Sequence, residues 1–437
     1  MYKPQFRAMV LTALACALLA LPAAADSQAR IVRLSDVQGT VQIDKNSGLG
    51  FENAFANLPI VQGTQLRTRE NGRAEVEFED GSTMRIIPNT TIEFSTLGLS
   101  DAGKRISVVN LVEGRAYVNW LGKSDEFTLN FSQEKVVLTQ AAHFRVASSS
   151  SLAEIASFKN DLEVVGPSGT VKVEKNKMVA FDVNDNDNPE VAKNIAEDLY
   201  DEWDRHAIEY HDLYSKNEST SLAYGSSDLN YYGAYSNVPG YGMLWQPYFA
   251  GGGWDPFMDG AWSWYPGMGY LWASAYPWGW MPYYYGNWIY APGYGWGWQP
   301  GSGTTWHGGF HYVGAVAAGF HTPVAPKGTV NTVAVGKGGA VVADAPLVLK
   351  SGSAGLGIPR GSYGNLRHLN TQVAKAGSVE LHATPQFSAS SWRAEGYAYG
   401  GMRSLSQVRG FGGVGHTDAG SSGHASGGGG GGGHGGR

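Results

Sequence analysis

The sequence RAEVEFEDGSTMRII, residues Arg73–Ile87, shows most clearly which secondary structure to expect in the first half of the chain. Every second residue on either side of its central Asp-Gly pair is apolar: Ala74, Val76 and Phe78, then Met84 and Ile86. A period of two is typical of a β-strand that buries one face, because successive side chains point to opposite sides of a sheet. The stretch therefore predicts a hairpin of two antiparallel strands.

The positions of the apolar residues also fix the length of the turn. A two-residue turn would place Met84 opposite Glu77, on the wrong face of the hairpin. A three-residue loop, Glu79–Gly81, sets Val76 opposite Met84 instead. It also puts Gly81 where a G1-bulge hairpin requires a left-handed backbone. We predict this register.

The same alternation continues through residues 31–183. Short apolar and polar runs alternate there, with Gly, Asp and Asn between them, as in Ile106–Val108, Ala116–Trp120 and Phe127–Phe131. Short strands separated by turn residues are typical of antiparallel β-domains. We therefore predict a mainly β protein whose first domain is an antiparallel β-sandwich or a jelly-roll-like fold.

Four phrases in this region resemble the FecR domain. They are VQGTVQI (Val37–Ile43), GTQLRTRENGRAEVEFEDGSTMRIIPNTTIEF (Gly63–Phe94), LVEGRAYV (Leu111–Val118) and AHFRV (Ala142–Val146). FecR-like regulators lie in the cell envelope, sense the state of an outer-membrane receptor and pass it to a sigma factor. The resemblance implies a protein-binding β-domain. Such regulators carry a cytoplasmic anti-sigma segment and a membrane helix ahead of this domain. Here we find a cleavable signal in that place, so we do not expect direct control of a sigma factor.

The N-terminus predicts export. Lys3 and Arg7 precede an apolar run, Ala8–Leu21, and small residues follow it up to Ala25. This order is typical of a secretory signal peptide, residues 1–25. The apolar run is shorter than the roughly 20 residues of a membrane span, and no later segment is uniformly apolar. We expect an exported chain in the periplasm or at the cell surface, without a transmembrane helix.

Removal of the signal changes the chemistry of the chain. The single cysteine, Cys16, is lost, which leaves no disulfide and no thiol nucleophile. Lys3 and Arg7 are lost as well, so 30 basic residues stand against 38 acidic ones and the formal charge is −8. An acidic chain disfavours nucleic acid and anionic lipid as partners, since both reward a basic surface.

A long linking helix is predicted for Asn188–Tyr214. Asn188 is its expected N-cap and Pro189 its first helical residue. An apolar stripe recurs every four residues: Val191, Ile195, Leu199, Trp203 and Ala207. His206 and His211 are five residues apart and off register for one metal ion, so we interpret them as solvated.

An acidic segment before this helix, Asp182-x-Asn184-x-Asn186, is similar to a calcium-binding loop. Asp187 stands where such a loop needs glycine, and Lys193 stands where it needs the bidentate glutamate. A turn and a helix cap explain the segment better, with weak calcium binding as the alternative. We predict no metal site and no cofactor.

A tryptophan repeat dominates residues 224–320. Trp-x-Trp-x-Pro units occur at Trp262–Pro266, Trp278–Pro282 and Trp296–Pro300, with a partial copy at Trp245–Pro247. The spacing of the prolines is that of one strand and one turn. Two tryptophans two residues apart project from the same face of a strand, and proline ends a strand or confines it to an edge. We predict a second, small β-domain with one aromatic face.

The aromatic face allows two interpretations. In the first, the rings form the core of a domain poor in Leu, Ile and Val, because each ring buries on the order of 150–250 Å². In the second, some rings stay exposed and stack on sugars or extended peptides. The candidate ligand-binding residues are Trp278, Trp280, Tyr283, Tyr284, Tyr285, Trp288, Trp296 and Trp298. Three consecutive tyrosines alternate on a strand, so at least one leaves the core face.

Residues 198–312 also resemble a domain of unknown function that is found beside FecR domains. The shared features are the Trp-x-Pro and GWGW-x-Pro phrases and a DEWDRH helix, Asp201–His206. This resemblance implies an architecture and no activity. Residues 321–398 are rich in Gly, Ala and Val and allow no assignment. The Gly, Ser and His tail, residues 399–437, cannot bury a core, and we expect it to be disordered.

The sequence contains no nucleophile elbow, no paired-histidine metal motif and no phosphate-binding glycine loop. A pair of carboxylates brought together by the fold is the one catalytic arrangement that the sequence leaves open. We predict a non-enzymatic envelope protein that binds another envelope protein through its FecR-like domain. The alternative is carbohydrate or peptidoglycan binding through the Trp-x-Trp-x-Pro repeat.

Overall fold

The structure, a computed structural model, describes residues 30–122, 125–185, 187–215, 223–301, 306, 310–335 and 347–381. The predicted signal peptide, residues 1–25, and the predicted tail, residues 399–437, lie outside the described residues. In the described part of the chain, no helix is long and apolar enough to cross a membrane. The described residues all belong to one unit, which ends at Glu395.

Seventeen strands form the β-domain. The first nine are β1 (Val32–Gln38), β2 (Val41–Asp44), β3 (Glu52–Asn53), β4 (Pro59–Ile60), β5 (Gln65–Thr68), β6 (Arg73–Glu77), β7 (Thr83–Ile86), β8 (Thr91–Leu99) and β9 (Arg105–Trp120). The other eight are β10 (Glu126–Phe131), β11 (Glu134–Leu138), β12 (Ala142–Ser148), β13 (Leu152–Lys159), β14 (Leu162–Gly166), β15 (Gly169–Val173), β16 (Lys177–Asp182) and β17 (Asn188–Ala192).

These strands form two sheets that share β9. The first sheet has the order β4-β1-β6-β7-β9-β12-β13-β16-β17. The second has the order β3-β2-β5-β8-β9-β10-β11-β14-β15. Neighbouring strands are antiparallel except β9 and β10, which are parallel. One apolar core contains side chains of both sheets, such as Val76 and Phe144 of the first and Ile92 and Leu129 of the second. The predicted mainly β fold class is confirmed.

Strand β9 passes from one sheet to the other at Gly114. Its residues up to Glu113 pair with β8, and its residues from Gly114 onward pair with β12. Gly114 has a φ of +95°, and a Cβ at this position would lie 2.5 Å from the carbonyl oxygen of Asn89. Both the backbone conformation and the space require glycine. The phrase LVEGRAYV therefore contains the bend that joins the two sheets.

The hairpin predicted at Arg73–Ile87 is confirmed in its register. Val76 pairs with Met84, and Gly81 has a φ of +88°. The Phe78 amide donates to the Ser82 carbonyl oxygen at 2.8 Å and closes the three-residue loop. Strand β6 therefore points its apolar residues into the core and its charged residues away from it.

The long helix predicted for Asn188–Tyr214 is wrong in its first half. Asn188–Ala192 is strand β17, which pairs with β16 at the edge of the first sheet. Helix α1 spans only Asp201–Tyr214. Val191 and Leu199 are 61% and 56% exposed, so they do not extend a buried stripe. The open edge of β16 supplies backbone partners to this segment, and an edge strand tolerates its proline.

The aromatic region follows α1. Its elements are α2 (Ser226–Tyr232), β18 (Gly233–Val238), β19 (Gly242–Pro247), β20 (Gly260–Tyr265), β21 (Gly269–Ser274), α3 (Met281–Tyr284), β22 (Asn287–Ala291), β23 (Gly295–Gln299), β24 (Tyr312–Val313) and β25 (Val333–Val335). They form a five-stranded sheet, β18-β19-β23-β22-β24, and a three-stranded sheet, β21-β20-β25. Beyond them lie β26 (Leu347–Lys350), α4 (Leu366–Ala376) and β27 (Ser378–Leu381).

Two of the three full repeat units lie on strands, as predicted. Trp262–Pro266 follows β20 to its end, and Trp296–Pro300 does the same for β23. The unit Trp278–Pro282 is instead a turn that leads into α3, so the strand predicted there is wrong. In this helical turn the Tyr285 amide donates to the Met281 carbonyl oxygen at 3.0 Å. Residues 347–381, which the sequence left unassigned, add apolar side chains to the same aromatic core: Leu349, Ile358 and Val373.

The variant Gly114→Val tests the shared strand. Valine at a left-handed φ and against the Asn89 carbonyl should lower the free energy of unfolding by about 3–5 kcal/mol, because strain and overpacking add. Thermal unfolding followed by circular dichroism measures the loss. Gly98→Val on β8 is the control, since a Cβ there meets nothing within 4 Å, and it should cost less than about 1 kcal/mol. Equal stability of the two variants would refute the role assigned to Gly114.

Candidate functional site

The eight candidate ligand-binding rings are all buried. Trp278, Trp280, Trp288 and Trp298 are fully enclosed, and the most exposed of the eight, Tyr285, is 6% exposed. All eight belong to one apolar cluster with other rings of the aromatic region. The structure therefore brings the predicted residues together, in a core and not on an open face.

Trp278 lies at the centre of this cluster. Its ring is stacked on that of Tyr276, with centroids 5.0 Å apart and an interplanar angle of 9°. The rings of Trp245 and Trp254 lie 4.9 Å and 6.1 Å from it at steep angles. Stacked and edge-on contacts of this kind favour aromatic pairs over their area alone, because the ring quadrupoles are complementary.

The polar atoms of several rings are bonded inside the core. The Trp278 indole N–H donates to the Ala354 carbonyl oxygen at 2.7 Å, and that of Trp298 donates to the Tyr285 carbonyl oxygen at 2.7 Å. The Tyr284 hydroxyl donates to the Trp272 carbonyl oxygen at 2.8 Å. Burial raises the pKa of the Tyr284 hydroxyl, so it stays a donor. These bonds hold the rings in fixed orientations.

Tyr283, Tyr284 and Tyr285 do not alternate between a core face and an open face. Helix α3 ends at Tyr284, and all three side chains are buried. These observations support the interpretation that the rings form a core. Stacking of a sugar on the same rings would require the core to open, and carbohydrate binding stays a prediction.

A second buried feature lies between the β-domain and the aromatic region. Strand β6 points Glu75 and Glu77 away from the sandwich core, yet they are 2% and 1% exposed. We name the ionisable side chains around them, which are buried or half-buried, the interface ion cluster. Its members are Arg33, Glu75, Glu77, Arg85, Asp204, His211, Asp228 and Arg360.

Two arginines join the β-domain to the aromatic region through this cluster. Arg33 of β1 lies 3.1 Å from Glu77 and 2.6 Å from Asp228 of α2. Arg360, which lies beyond the aromatic region, contacts Glu75 at 2.7 Å and Asp228 at 2.6 Å. Both guanidiniums therefore bridge one carboxylate of the sheet and one of helix α2.

Helix α1 enters the same cluster. Arg85 of β7 contacts Glu75 and the Asp204 carboxylate of α1, each at 2.8 Å. Asp204 also contacts His143 at 2.7 Å. His211 Nε2 lies 3.0 Å from Glu75 Oε1. The interpretation of His211 as a solvated residue is therefore wrong, because this contact comes from tertiary packing that the spacing of histidines along the chain does not show.

Neighbouring basic side chains lower the pKa of two of the buried carboxylates, Glu75 and Asp228. Burial alone would raise the pKa of Glu75, but His211, Arg85 and Arg360 hold this pKa well below its usual value. Burial would likewise raise the pKa of Asp228, and Arg360 and Arg33 hold it below its usual value. For Glu77 the effect of burial is the larger one, and its pKa is raised.

Neutral groups extend the contact between the two regions. The Asn57 amide of the β-domain donates to the carbonyl oxygens of Ser274 and Tyr276 at 3.1 and 2.7 Å. The Tyr265 hydroxyl donates to the Pro59 carbonyl oxygen at 2.7 Å. The outer face of the first sheet is thus covered at β1, β6 and β7 by α1, α2 and the aromatic region.

The second sheet keeps an open outer face. Its exposed side chains include Val112 of β9, Val137 of β11 and Val165 of β14, which are 57%, 51% and 39% exposed. Among the described residues, no group of three or more His, Cys, Asp or Glu side chains is placed to hold a metal ion. The open surface of the β-domain is therefore a sheet face with mixed apolar and polar character.

The fold and the interface define a two-part β-protein in which an aromatic region is fixed to one face of a sandwich. Residues 64–163 match the family model described as FecR protein. Residues 226–326 match a family of unknown function, DUF6600. The chain therefore contains a FecR domain followed by a DUF6600 domain, as the resemblances predicted.

Two solved structures are similar to the chain. Both are of a protein from Parabacteroides distasonis that is described as a candidate anti-sigma factor, at 1.65 and 2.50 Å resolution. The identities are 22% and 21%, and the TM-scores are 0.27 and 0.26. The match covers 31% of this chain and spans 61% of the length of that protein. A comparison with curated proteins finds no match.

Replacement of the central tryptophan tests the core. Trp278→Ala should lower the free energy of unfolding by about 3–5 kcal/mol, because it leaves a large cavity among rings. Chemical denaturation measures this loss, with Tyr312→Ala, at a ring that is 39% exposed, as the control. A variant that keeps its stability but no longer sediments with insoluble polysaccharide or sacculi would establish the ring as a ligand contact instead.

Loss of one bridging arginine tests the interface ion cluster. Arg33→Met should cost about 3–5 kcal/mol, because Glu77 loses its arginine in a buried site and Asp228 keeps only Arg360. Lys104→Met is the matched control. It removes an ion pair whose members are 44% and 43% exposed, so it should cost about 0–1 kcal/mol. A cost for Arg33→Met as small as the control would show that the cluster does not hold the interface.

Proposed function

We propose that this protein is a non-enzymatic, exported binding module of the cell envelope that holds a protein partner on the outer face of its second sheet. The observation that carries the proposal is the asymmetry of the FecR domain: the outer face of its first sheet is buried, whereas that of its second sheet is open. The family match supports a protein partner. The predicted signal peptide supports a place in the periplasm or at the cell surface.

The open face has one continuous patch across four strands. Thr128 of β10 lies between Val108 of β9 and Val137 of β11 in the register of the sheet. In the neighbouring row, Lys135 of β11 lies beside Val165 of β14. Exposed valines beside one lysine are typical of a protein interface, where an apolar centre is bordered by polar groups.

The proposal assigns no catalysis. The carboxylates that the fold brings together at the interface, Glu75, Glu77 and Asp228, are buried and bound to arginines. A glycosidase pair needs carboxyl groups that reach a substrate from both sides of a bond. These carboxylates instead join the aromatic region to the β-domain. The open face of the second sheet carries valines, side-chain amides and single charges.

Site-specific photo-crosslinking in cells tests the partner surface. A benzophenone amino acid at position 137 or 165 should form an adduct of one defined mass with an envelope protein on irradiation. The same amino acid at position 213 is the control, because Leu213 is 58% exposed on α1, over the first sheet. We expect no adduct there, and we expect the adducts in the envelope fraction and not in the cytoplasm.

A charged residue introduced into this patch gives a second test of the partner surface. Val165→Asp, with the crosslinker kept at position 137, should reduce the adduct at least fivefold while the thermal midpoint stays within about 2 °C, since surface substitutions change stability little. Adducts of equal yield from positions 137 and 213 would refute the assigned face. A complete absence of adducts from all three positions would refute a protein partner.

A further inference from the structure

Two carboxylates in turns of the β-domain are buried without a partner. Glu134 begins β11, and Asp187 lies in the turn between β16 and β17. Glu134 is 2% exposed and Asp187 is fully enclosed. All four carboxylate oxygens are buried and have no hydrogen-bond donor. The other buried carboxylates described above, in the interface ion cluster, each contact an arginine.

An unpartnered buried carboxylate is costly, because it loses its hydration and gains nothing in return. Burial and the charge of Asp187 raise the pKa of Glu134 to about 7. Burial and the charge of Asp182 raise the pKa of Asp187. All four oxygens are buried without a donor, so both carboxylates lack the partner that a cation would supply.

The segment around Asp187 is rich in oxygen-bearing residues in the sequence. The turn between β16 and β17 is part of the sequence DVNDNDN, residues 182–188. Asp187 has a left-handed backbone with φ of +50°, and its amide donates to the Asp182 carbonyl oxygen at 3.0 Å. Gly166 gives Glu134 its space, because a Cβ there would lie 1.7 Å from Glu134 Oε2. Any larger residue would displace the carboxylate.

We propose that Glu134 and Asp187 bind one calcium ion that joins the two turns. The donors are oxygen atoms of carboxylates, which a hard cation prefers over the imidazole and thiolate sites of zinc or copper. Calcium also accepts backbone carbonyl, amide and water oxygens in irregular geometry, whereas magnesium demands an octahedron. A calcium site with only two carboxylates and otherwise neutral oxygen ligands should have a dissociation constant of about 10⁻⁴–10⁻³ M, as in extracellular modules.

The proposed site also accounts for the acidic segment of the sequence. Taken alone, Asp182-x-Asn184-x-Asn186 lacks the glutamate of a calcium loop, because Lys193 stands in its place. The fold supplies a carboxylate from elsewhere, since Glu134 lies on the second sheet and the turn belongs to the first. The calcium ion thereby connects the two sheets at their ends.

Calcium binding is tested with the whole purified protein after treatment with EDTA. At pH 8, isothermal titration with CaCl2 should give one site per chain. Addition of 10 mM CaCl2 should raise the thermal midpoint by about 2–5 °C, as expected for a ligand near 100 times its dissociation constant. Glu134→Gln and Asp187→Asn should abolish both effects. Asp161→Asn is the control, because Asp161 is an exposed carboxylate that pairs with Lys172, and it should retain both.

A pH series separates the ion from a proton. Thermal midpoints are measured between pH 5 and 8 with and without 10 mM CaCl2. Calcium should raise the midpoint most at pH 8, where protons compete least with the cation for carboxylate ligands. If the wild-type protein binds no calcium at pH 8, the proposal is overturned.

Two further outcomes also decide the proposal. Calcium binding that survives in both variants would place the ion elsewhere and refute this site. If the variants fail to fold, hydrogen exchange of the wild-type protein replaces them. Calcium should then slow exchange at least threefold in the turns at Glu134 and Asp187 and leave the turn at Gly81 unchanged. Exchange that calcium does not alter in either turn would overturn the proposal.

Discussion

The structure depends on the neutralisation of charges on strand β6. This strand has an apolar inner side and a charged outer side, a pattern that in a solitary sandwich would leave Glu75 and Glu77 in water. Here both are buried, because Arg33, Arg85 and Arg360 lie against them. Asp228 and Asp204 then bind the same arginines from α2 and α1. Separation of the two regions would break the contacts of Arg33 with Asp228, of Arg85 with Asp204 and of Arg360 with Glu75.

The aromatic region solves a related problem with few aliphatic residues. Rings replace leucines as the source of buried area, and Gly233 and Gly260 give them room. A Cβ at either glycine would lie 2.4 Å from a ring atom of Trp245 or Trp272. A core of large, rigid rings has few alternative packings, because small shifts produce clashes or cavities. Such a core is suited to hold Asp228 and the Trp280 turn in fixed positions against the β-domain.

Local pattern predicted most of the β-domain and little of the interface. The register of the hairpin Arg73–Ile87 was predictable, because the alternation of apolar residues, the length of the turn and the position of Gly81 all required Val76 to pair with Met84. The strand at Asn188–Ala192 was not predictable. The residues there resemble a helix cap, and the sequence does not show that β16 has a free edge with which they can pair. The burial of Tyr283, Tyr284 and Tyr285 was also missed, because we predicted a strand where a helical turn forms. His211 and Glu75 are far apart in the chain, and only the fold shows that they meet.

The burial of one sheet face restricts how the FecR domain can work in this chain. A partner that required the outer face of the first sheet would have to displace α1, α2 and the aromatic region, and so break the contacts of Arg33 with Asp228, of Arg85 with Asp204 and of Arg360 with Glu75. The loss of these contacts opposes such a displacement, because each is a charge-assisted hydrogen bond or ion pair that the covered state holds in place. The second sheet presents no such barrier, because Val137, Lys135 and Val165 already face solvent. The aromatic region therefore acts as a fixed cover of the first sheet, and the partner surface that we propose lies on the sheet face that this cover leaves open.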